Sequence, residues 1–200
     1  AKHKWIRLRE LFATNDPIAP TAARALALLK WRRTARFCGC CGGPLQDDKY
    51  ETARVCPLCG NVVFPRISPA IIILVSKGDK ILLARHATRN TDLYTCLAGF
   101  MEHGENIEEC ARREVKEETG LEIDNVQMCG IKQYVPEAGN ENYDRYMVLL
   151  YKTSTFRGEL KSSDEGRVFW IEREELNSYT LPHGFAAMVE IFESESLSEN

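Results

Sequence analysis

The sequence predicts a mixed α/β domain preceded by a small cysteine- and glycine-rich module, and three observations predict it. From Ile67 onward, strand-length apolar runs alternate with segments of helical periodicity. Residues 37 to 66 carry two Cys-x-x-Cys pairs, each followed by glycine. Ahead of them, a segment rich in Ala and Leu ends in a run of arginines. With 200 residues, the chain has room for one ordinary domain plus such a module.

Taken in order, Thr21 follows Pro20 and is expected to cap a helix from Ala22 to about Arg36. Its basic end (Lys30, Arg32, Arg33, Arg36) suits a C-terminus, where cations face the negative end of the dipole. Ala70–Ser76 and Ile81–Arg85 flank a Lys-Gly-Asp-Lys turn and read as a hairpin. Residues 106 to 119 have helical periodicity, with Ile107, Cys110, Ala111 and Val115 on the inward stripe and Gly120 at the C-cap. Strands are expected at Val126–Tyr134, Arg145–Thr153 and Arg167–Ile171, and closing helices at Glu172–Leu176 and His183–Glu193. The expected division is a helical segment over 1–36, left over from a preceding domain, a ribbon over 37–66 and the α/β domain over 67–200.

Composition narrows the class. Apolar residues make up 44% of the chain, enough for a packed core. A formal net charge of -3, from 26 basic and 29 acidic residues, argues against a protein held on nucleic acid by its overall field. No apolar run approaches the roughly 20 residues of a membrane span, and the start has no signal-peptide pattern. A soluble cytoplasmic protein is the expectation. The chain starts without Met, so its true N-terminus is expected upstream.

Cys38-x-x-Cys41 and Cys56-x-x-Cys59 are separated by fourteen residues, with Gly42 and Gly60 just after the pairs. Four thiolates at this spacing can surround one Zn²⁺ tetrahedrally, and glycines permit the tight knuckle turns. Cys40 lies inside the first knuckle, but only Cys41 gives the usual spacing. Four protein ligands leave no open position for water, so a structural site is expected. A redox disulfide would need only one pair. Cys96, Cys110 and Cys129 sit in apolar surroundings and read as buried small hydrophobes.

Glu114, Glu117 and Glu118 stand at i, i+3 and i+4, on one helix face. Three clustered carboxylates repel one another, and hard oxygen ligands select Mg²⁺ or Mn²⁺ as the compensating cation. A merely solvated acidic face would leave the flanking residues unexplained. Gly99 sits where a backbone is expected to approach closely, and Glu105, eight residues before Arg113, is placed to pin that guanidinium.

Gly99, Glu105, Arg113, Glu114, Val115, Glu117, Glu118, Gly120 and Leu121 match every defined position of Gly-x5-Glu-x7-Arg-Glu-U-x-Glu-Glu-x-Gly-U, where U is aliphatic. The segment therefore resembles the box of Nudix hydrolases. That resemblance implies a mixed sheet sandwiched between helices and hydrolysis of a nucleoside diphosphate linked to another moiety. It implies Glu114 and Glu118 as principal metal ligands, Glu117 as a ligand or proton acceptor, and the Ala98 carbonyl as a backbone ligand. It also implies a later acidic ligand, for which Asp164 or Glu165 stands in the right place.

The ribbon, with Trp31-Arg-Arg-Thr-Ala-Arg-Phe-Cys38 before it and Phe64-Pro-Arg-Ile-Ser-Pro-Ala70 after it, resembles the NADH pyrophosphatase family. This implies cleavage of NAD(H) to AMP and nicotinamide mononucleotide, a homodimer, and in some members removal of NAD caps from RNA. Otherwise nucleic acid is not an expected partner. The family's Ser-Gln-Pro-Trp-Pro-Phe-Pro signature is replaced here by Ile131-Lys-Gln133-Tyr134-Val-Pro136. From Cys129 onward the chain looks more like Nudix enzymes of nucleoside triphosphates such as 8-oxo-dGTP. NAD(H) is the first expectation; an oxidised triphosphate or ADP-ribose is the alternative. Phe100, Gln133 and Tyr134 are candidate substrate contacts. A Nudix-like sensor that binds without cutting is the reading from another class, but such domains usually lose box carboxylates, and all are present here.

Overall fold

The computed structural model describes residues 6–14, 16–87, 92–134, 146–182, 184–194 and 198–199. These fall into two compact units, one up to Ile67 and one of Ser68–Tyr134 with Tyr146 onward.

The first unit holds helices α1 (Leu8–Ala13) and α2 (Ala19–Thr34) and a three-stranded antiparallel sheet of β1 (Gln46–Asp47), β2 (Arg54–Val55) and β3 (Val62–Val63). Helix α2 begins before Thr21, with Ile18 at its N-cap and Pro20 in its first turn. Proline's fixed φ suits that position and its missing N–H costs nothing there. The Asp16 carboxylate accepts the Ile18 N–H at 2.9 Å, so the preceding turn, and not the Thr21 hydroxyl, shapes the helix start. The ribbon's core is very small: Cys38, Leu45 and Cys56 are buried, with Val63 packed against them.

The second unit is a seven-stranded sheet in the order β11-β5-β4-β9-β8-β12, with β6 also on β4. Its strands are β4 (Ser68–Lys77), β5 (Lys80–His86), β6 (Leu97–Phe100), β8 (Gln127–Tyr134), β9 (Tyr146–Thr153), β11 (Gly166–Glu172) and β12 (Ser198–Glu199). A two-stranded ribbon of β7 (Glu122–Asp124) and β10 (Thr155–Arg157) stands beside it in sequence. The β4–β5 hairpin closes on Gly78 at φ 59, a left-handed turn position that glycine adopts without strain.

Alternation along β4 sends Ile71, Ile73 and Val75 into one core and Leu74 into the other. The first core packs against α3 (Ile107–Thr119) through Cys110, Ala111 and Val115. The second packs against α4 (Phe185–Glu193) through Phe185, Met188, Ile191 and Phe192. The sheet is thus sandwiched between helices, as expected. Residues Arg173–Ser178 form a 3₁₀ helix where a closing α-helix was expected. Six residues are too few to sustain an α-helix without capping, and no side-chain cap is present.

One feature of β4 positions the site. Its edge opposite β9 is shared: β5 pairs at Ser76 and Lys77, and β6 pairs at Ala70–Ile73. The backbone of β6 is thereby laid alongside α3.

Candidate active site and metal centre

The four knuckle cysteines converge. Their sulfurs all lie within 4.8 Å of one another, with Cys38 to Cys59 at 3.6 Å and Cys41 to Cys56 at 3.5 Å. A tetrahedron with metal–sulfur bonds of about 2.3 Å places its corners about 3.8 Å apart, so the donor set fits one zinc ion. Gly42 and Gly60 take φ of 75 and 74, which lets each knuckle turn back toward its first cysteine. Backbone N–H groups of Cys41 and then Cys40 face the Cys38 sulfur and help bring it down to about 6, while the neighbouring sulfurs push Cys59 up to about 12 and raise Cys41. Cys40 is exposed and outside the cluster. Cys96, Cys110 and Cys129 are buried as expected, and burial pushes Cys96 up to about 12.

The carboxylate helix is built by its ends. Asn106 caps α3, its side chain accepting the Glu109 N–H at 3.0 Å while the Glu109 carboxylate accepts the Asn106 N–H at 2.7 Å. This capping box satisfies two otherwise orphan donors. Glu108 and Glu109 add negative charge where the dipole is positive, and Gly120 closes the helix at φ 74.

Arg113 then ties the helix to the preceding loop. It grips Glu105 through two bonds of 2.9 and 2.8 Å and donates to the Phe100 carbonyl at 3.0 Å. Its remaining arm reaches Glu114 at 2.8 Å and Glu117 at 3.2 Å. Such bidentate, charge-assisted contacts fix geometry as well as adding energy. The guanidinium holds Glu105 down to about 2. The Cys110 sulfur lies 3.6 Å from the Arg113 Nη2 that bonds Glu105, a contact that sequence periodicity hides behind an ordinary core position.

Glu114 and Glu118 are buried, while the Glu117 side chain is 59% exposed. Burial pushes Glu118 up to about 8, with the charges of Glu114 and Glu165 adding to it; the Ala98 N–H, 3.4 Å from the carboxylate, pulls the other way. Burial raises Glu114 as well. Of these two desolvated carboxylates, Glu114 meets one arm of Arg113 and Glu118 meets the Ala98 N–H, so the pair has an unmet need for positive charge. Hard oxygen donors in that state suit Mg²⁺ or Mn²⁺.

Both later-loop acids, Asp164 and Glu165, are exposed, and the charge of Glu165 adds to the upward push on Glu114 and Glu118. Ala98 meets Glu118 through its N–H. Phe100 is half exposed on β6. The Gln133 and Tyr134 side chains lie outside the described residues. Among the described residues, only the cysteines bring three or more ligating atoms within 4.8 Å of one another. The carboxylates are gathered around Arg113 more than around a common point.

Gly99 shows why β6 matters. A Cβ there would lie 1.8 Å from the Glu114 carboxyl carbon, because that carboxylate rests on the Gly99 backbone. Gly99→Ala must therefore displace Glu114, and a misplacement of about 1 Å at a reacting centre costs on the order of 100-fold in rate. The expected result is such a loss of kcat with circular dichroism unchanged; a variant of normal activity would show the close approach to be irrelevant.

The NUDIX domain profile matches residues 65–191. The chain belongs to the NUDIX family. The profile of the NADH pyrophosphatase zinc ribbon domain matches residues 33–64, immediately before the NUDIX domain. The NAD-capped RNA hydrolase NudC of Photobacterium profundum is 45% identical over 121 residues, 60% of this chain and 45% of that protein. The protein of the same name from Pseudomonas putida (strain W619) is 42% identical over 127 residues, 63% of this chain and 46% of its own. The chain thus spans about half the length of the curated relatives it matches. A NUDIX hydrolase from Nitrosomonas europaea has a TM-score of 0.63 at 19% identity, covering 82% of this chain and 98% of that one. A MutT protein from Bacillus halodurans has a TM-score of 0.57 at 24% identity, covering 66% and 87%. At these identities the likeness establishes the NUDIX fold alone.

Proposed function

We propose that this NUDIX chain hydrolyses the diphosphate of NAD(H) to AMP and nicotinamide mononucleotide, in a reaction dependent on Mg²⁺ or Mn²⁺. The observation that carries the reading is the buried pair Glu114 and Glu118, backed against β6 by Gly99 and braced by the Glu105–Arg113 clamp. Its chemistry is that of an oxygen-rich cation site beside a loop able to approach a phosphate. The ribbon's resemblance to that of NADH pyrophosphatases supports NAD(H) over other linked diphosphates.

In this reading Glu114 and Glu118 hold the cation, with Glu117, Glu165 and the Ala98 carbonyl as further candidates. Glu165 is placed ahead of Asp164, since its charge adds to the upward push on the buried pair. When bound, the cation supplies charge neutralisation on the diphosphate and acidifies the attacking water. The protein's own part is positional. Arg113 keeps the loop and helix in register, and Glu117, the exposed carboxylate, accepts a proton as the water oxygen bonds to phosphorus and the bridging P–O bond breaks. Phe100, Gln133 and Tyr134 are the proposed base contacts. Structural zinc on the four cysteines, a homodimer, a cytoplasmic location and the division at 36 and 66 belong to the same proposal. Among the described residues, no helix is long and apolar enough to cross a membrane.

A panel of NADH, NAD-capped RNA, ADP-ribose, and canonical and oxidised dNTPs, each with Mg²⁺, tests the reading. NADH or its RNA-linked form is expected to give the highest kcat/KM. An oxidised dNTP turned over far faster would overturn it, and the replaced segment Gln133-Tyr134-Val-Pro136 would then mark the triphosphate class.

A further inference from the structure

Cys96, Cys110 and Cys129 are all buried, but they are not alike. Cys96 and Cys129 belong to the core that packs against α4. Cys110 belongs to the core under α3 and is completely buried. It stands three residues before Arg113 and four before Glu114, on the helix face that carries the carboxylates.

The Glu105–Arg113 clamp leaves one place open, and the Cys110 thiol meets it. Both hydrogens of Arg113 Nη2 are taken, by Glu105 at 2.8 Å and by the Phe100 carbonyl at 3.0 Å. The Cys110 sulfur facing that nitrogen at 3.6 Å is therefore not needed as an acceptor. A carboxylate has room for about four donors. Glu105 accepts the Glu102 N–H at 2.6 Å and Arg113 through Nε and Nη2, which leaves room for one more. After Arg113 and the Glu102 N–H, the hydrogen bond from Cys110 helps hold Glu105 down. Burial, followed by Glu105 itself, pushes the thiol up to about 12, so it keeps the proton it donates.

The ordinary explanation of a buried cysteine is a small apolar filler. That covers Cys129, whose sulfur lies 3.6 Å from the Gln127 carbonyl on its own strand. It does not explain a thiol set between the two members of the ion pair that ties α3 to the loop before it.

We propose that Cys110 is a positioning residue for hydrolysis: its thiol orients the Glu105 carboxylate for the two-point grip on Arg113, and Arg113 in turn holds Glu114 against Gly99. The contacts from Glu105 through the guanidinium to Glu114 are all 2.8–2.9 Å long, so a shift at one end is felt at the other. The inference rests on the reading of Glu114 as a cation ligand, because a displaced Glu114 matters only if it takes part in the reaction. Loss of a group that orients metal-binding side chains costs about 10- to 100-fold in activity, and a thiol, a weak donor, belongs at the lower end.

The test compares Cys110→Ala, which removes the donor, with Cys110→Ser, which keeps one. Cys129→Ala is the control for losing a buried thiol away from the clamp. Two quantities are read on each full chain. One is kcat and KM with Mg²⁺ on the panel substrate turned over fastest; the other is exchange of the Arg113 Nε–H with water, followed by NMR. Cys110→Ala should lower kcat about tenfold with KM unchanged and speed the Arg113 exchange by a similar factor. Cys110→Ser should bring both back to within about threefold of the parent, and Cys129→Ala should change neither. Parental kcat or parental exchange in Cys110→Ala would overturn the proposal. So would a Ser variant as impaired as the Ala variant, since the bulk of the sulfur would then be what counts. The same losses in Cys129→Ala would also overturn it, as a general loosening of the core. A panel without any turnover would sink the hydrolase reading and the catalytic half of this proposal with it. The exchange rates need no substrate, and they alone decide whether Cys110 holds the clamp.

Discussion

Glu118→Gln is expected to lower kcat by about 10³-fold or more while the NUDIX unit stays folded, and to make the Mg²⁺-free protein more stable at pH 8. Both effects come from one buried carboxylate. In the folded chain without a divalent cation, desolvation pushes Glu118 up to about 8 against an ordinary 4.5. Between those values the native state keeps a proton that the unfolded chain has released. Stability present below about pH 4.5 is therefore lost as pH rises toward 8, and it levels off above that. Gln has the shape without the charge and removes this loss, which amounts to about 2–4 kcal/mol at pH 8 and almost nothing at pH 4.5. Mg²⁺ should reverse the order, stabilising the parent chain by mass action and the variant hardly at all. Thermal unfolding at the two pH values, with and without Mg²⁺, reads all four quantities. A variant with normal turnover, or one whose stability tracks the parent at every pH, would sink both the role of Glu118 and its need for a cation.

How much of this was legible in the sequence depends on which physical rule governs each part. Helix α3 was readable to within a residue, because its apolar stripe and Gly120 state the same boundaries; the Asn106 capping box went unread in the sequence. The Glu105–Arg113 pin was readable because its spacing from loop to helix admits few other partners, and Gly99 because a glycine ahead of a carboxylate helix implies a close approach. Strand β6 was missed: four residues containing a glycine carry no periodicity, and they are a strand only because β4 offers half an edge. Sequence offered Asp164 and Glu165 as equals, since adjacent acids in a turn carry no periodicity; the charge of Glu165 at Glu118 comes from the fold. The short strands β7 and β10 escaped for the same reason as β6; they exist through pairing with each other.

Cys56→Ser is expected to strip the ribbon of metal and of structure together. Little else holds the ribbon: besides two of the cysteines, its buried side chains are Leu45 and the small Ala53, with Val63 alongside. One buried leucine contributes about 2 kcal/mol, far below what ordering such a module costs. Structural zinc supplies about 10–16 kcal/mol in small finger modules, and that free energy is folding free energy. Removing one of four thiolates takes away most of it. Metal content should fall from about one ion per chain to near none, and amide protection across β1–β3 should vanish. Cys40→Ser is the matched control, because Cys40 is exposed and outside the cluster, and it should change neither reading. The same pair of variants separates a metal site from a redox disulfide. A ribbon held by metal yields to a chelator and ignores a phosphine reductant that has no thiols, whereas a ribbon held by a disulfide does the reverse. Protection that survives in metal-free Cys56→Ser would mean that α2 and the buried Arg54 suffice to hold the ribbon, and that the four sulfurs are gathered for some other purpose.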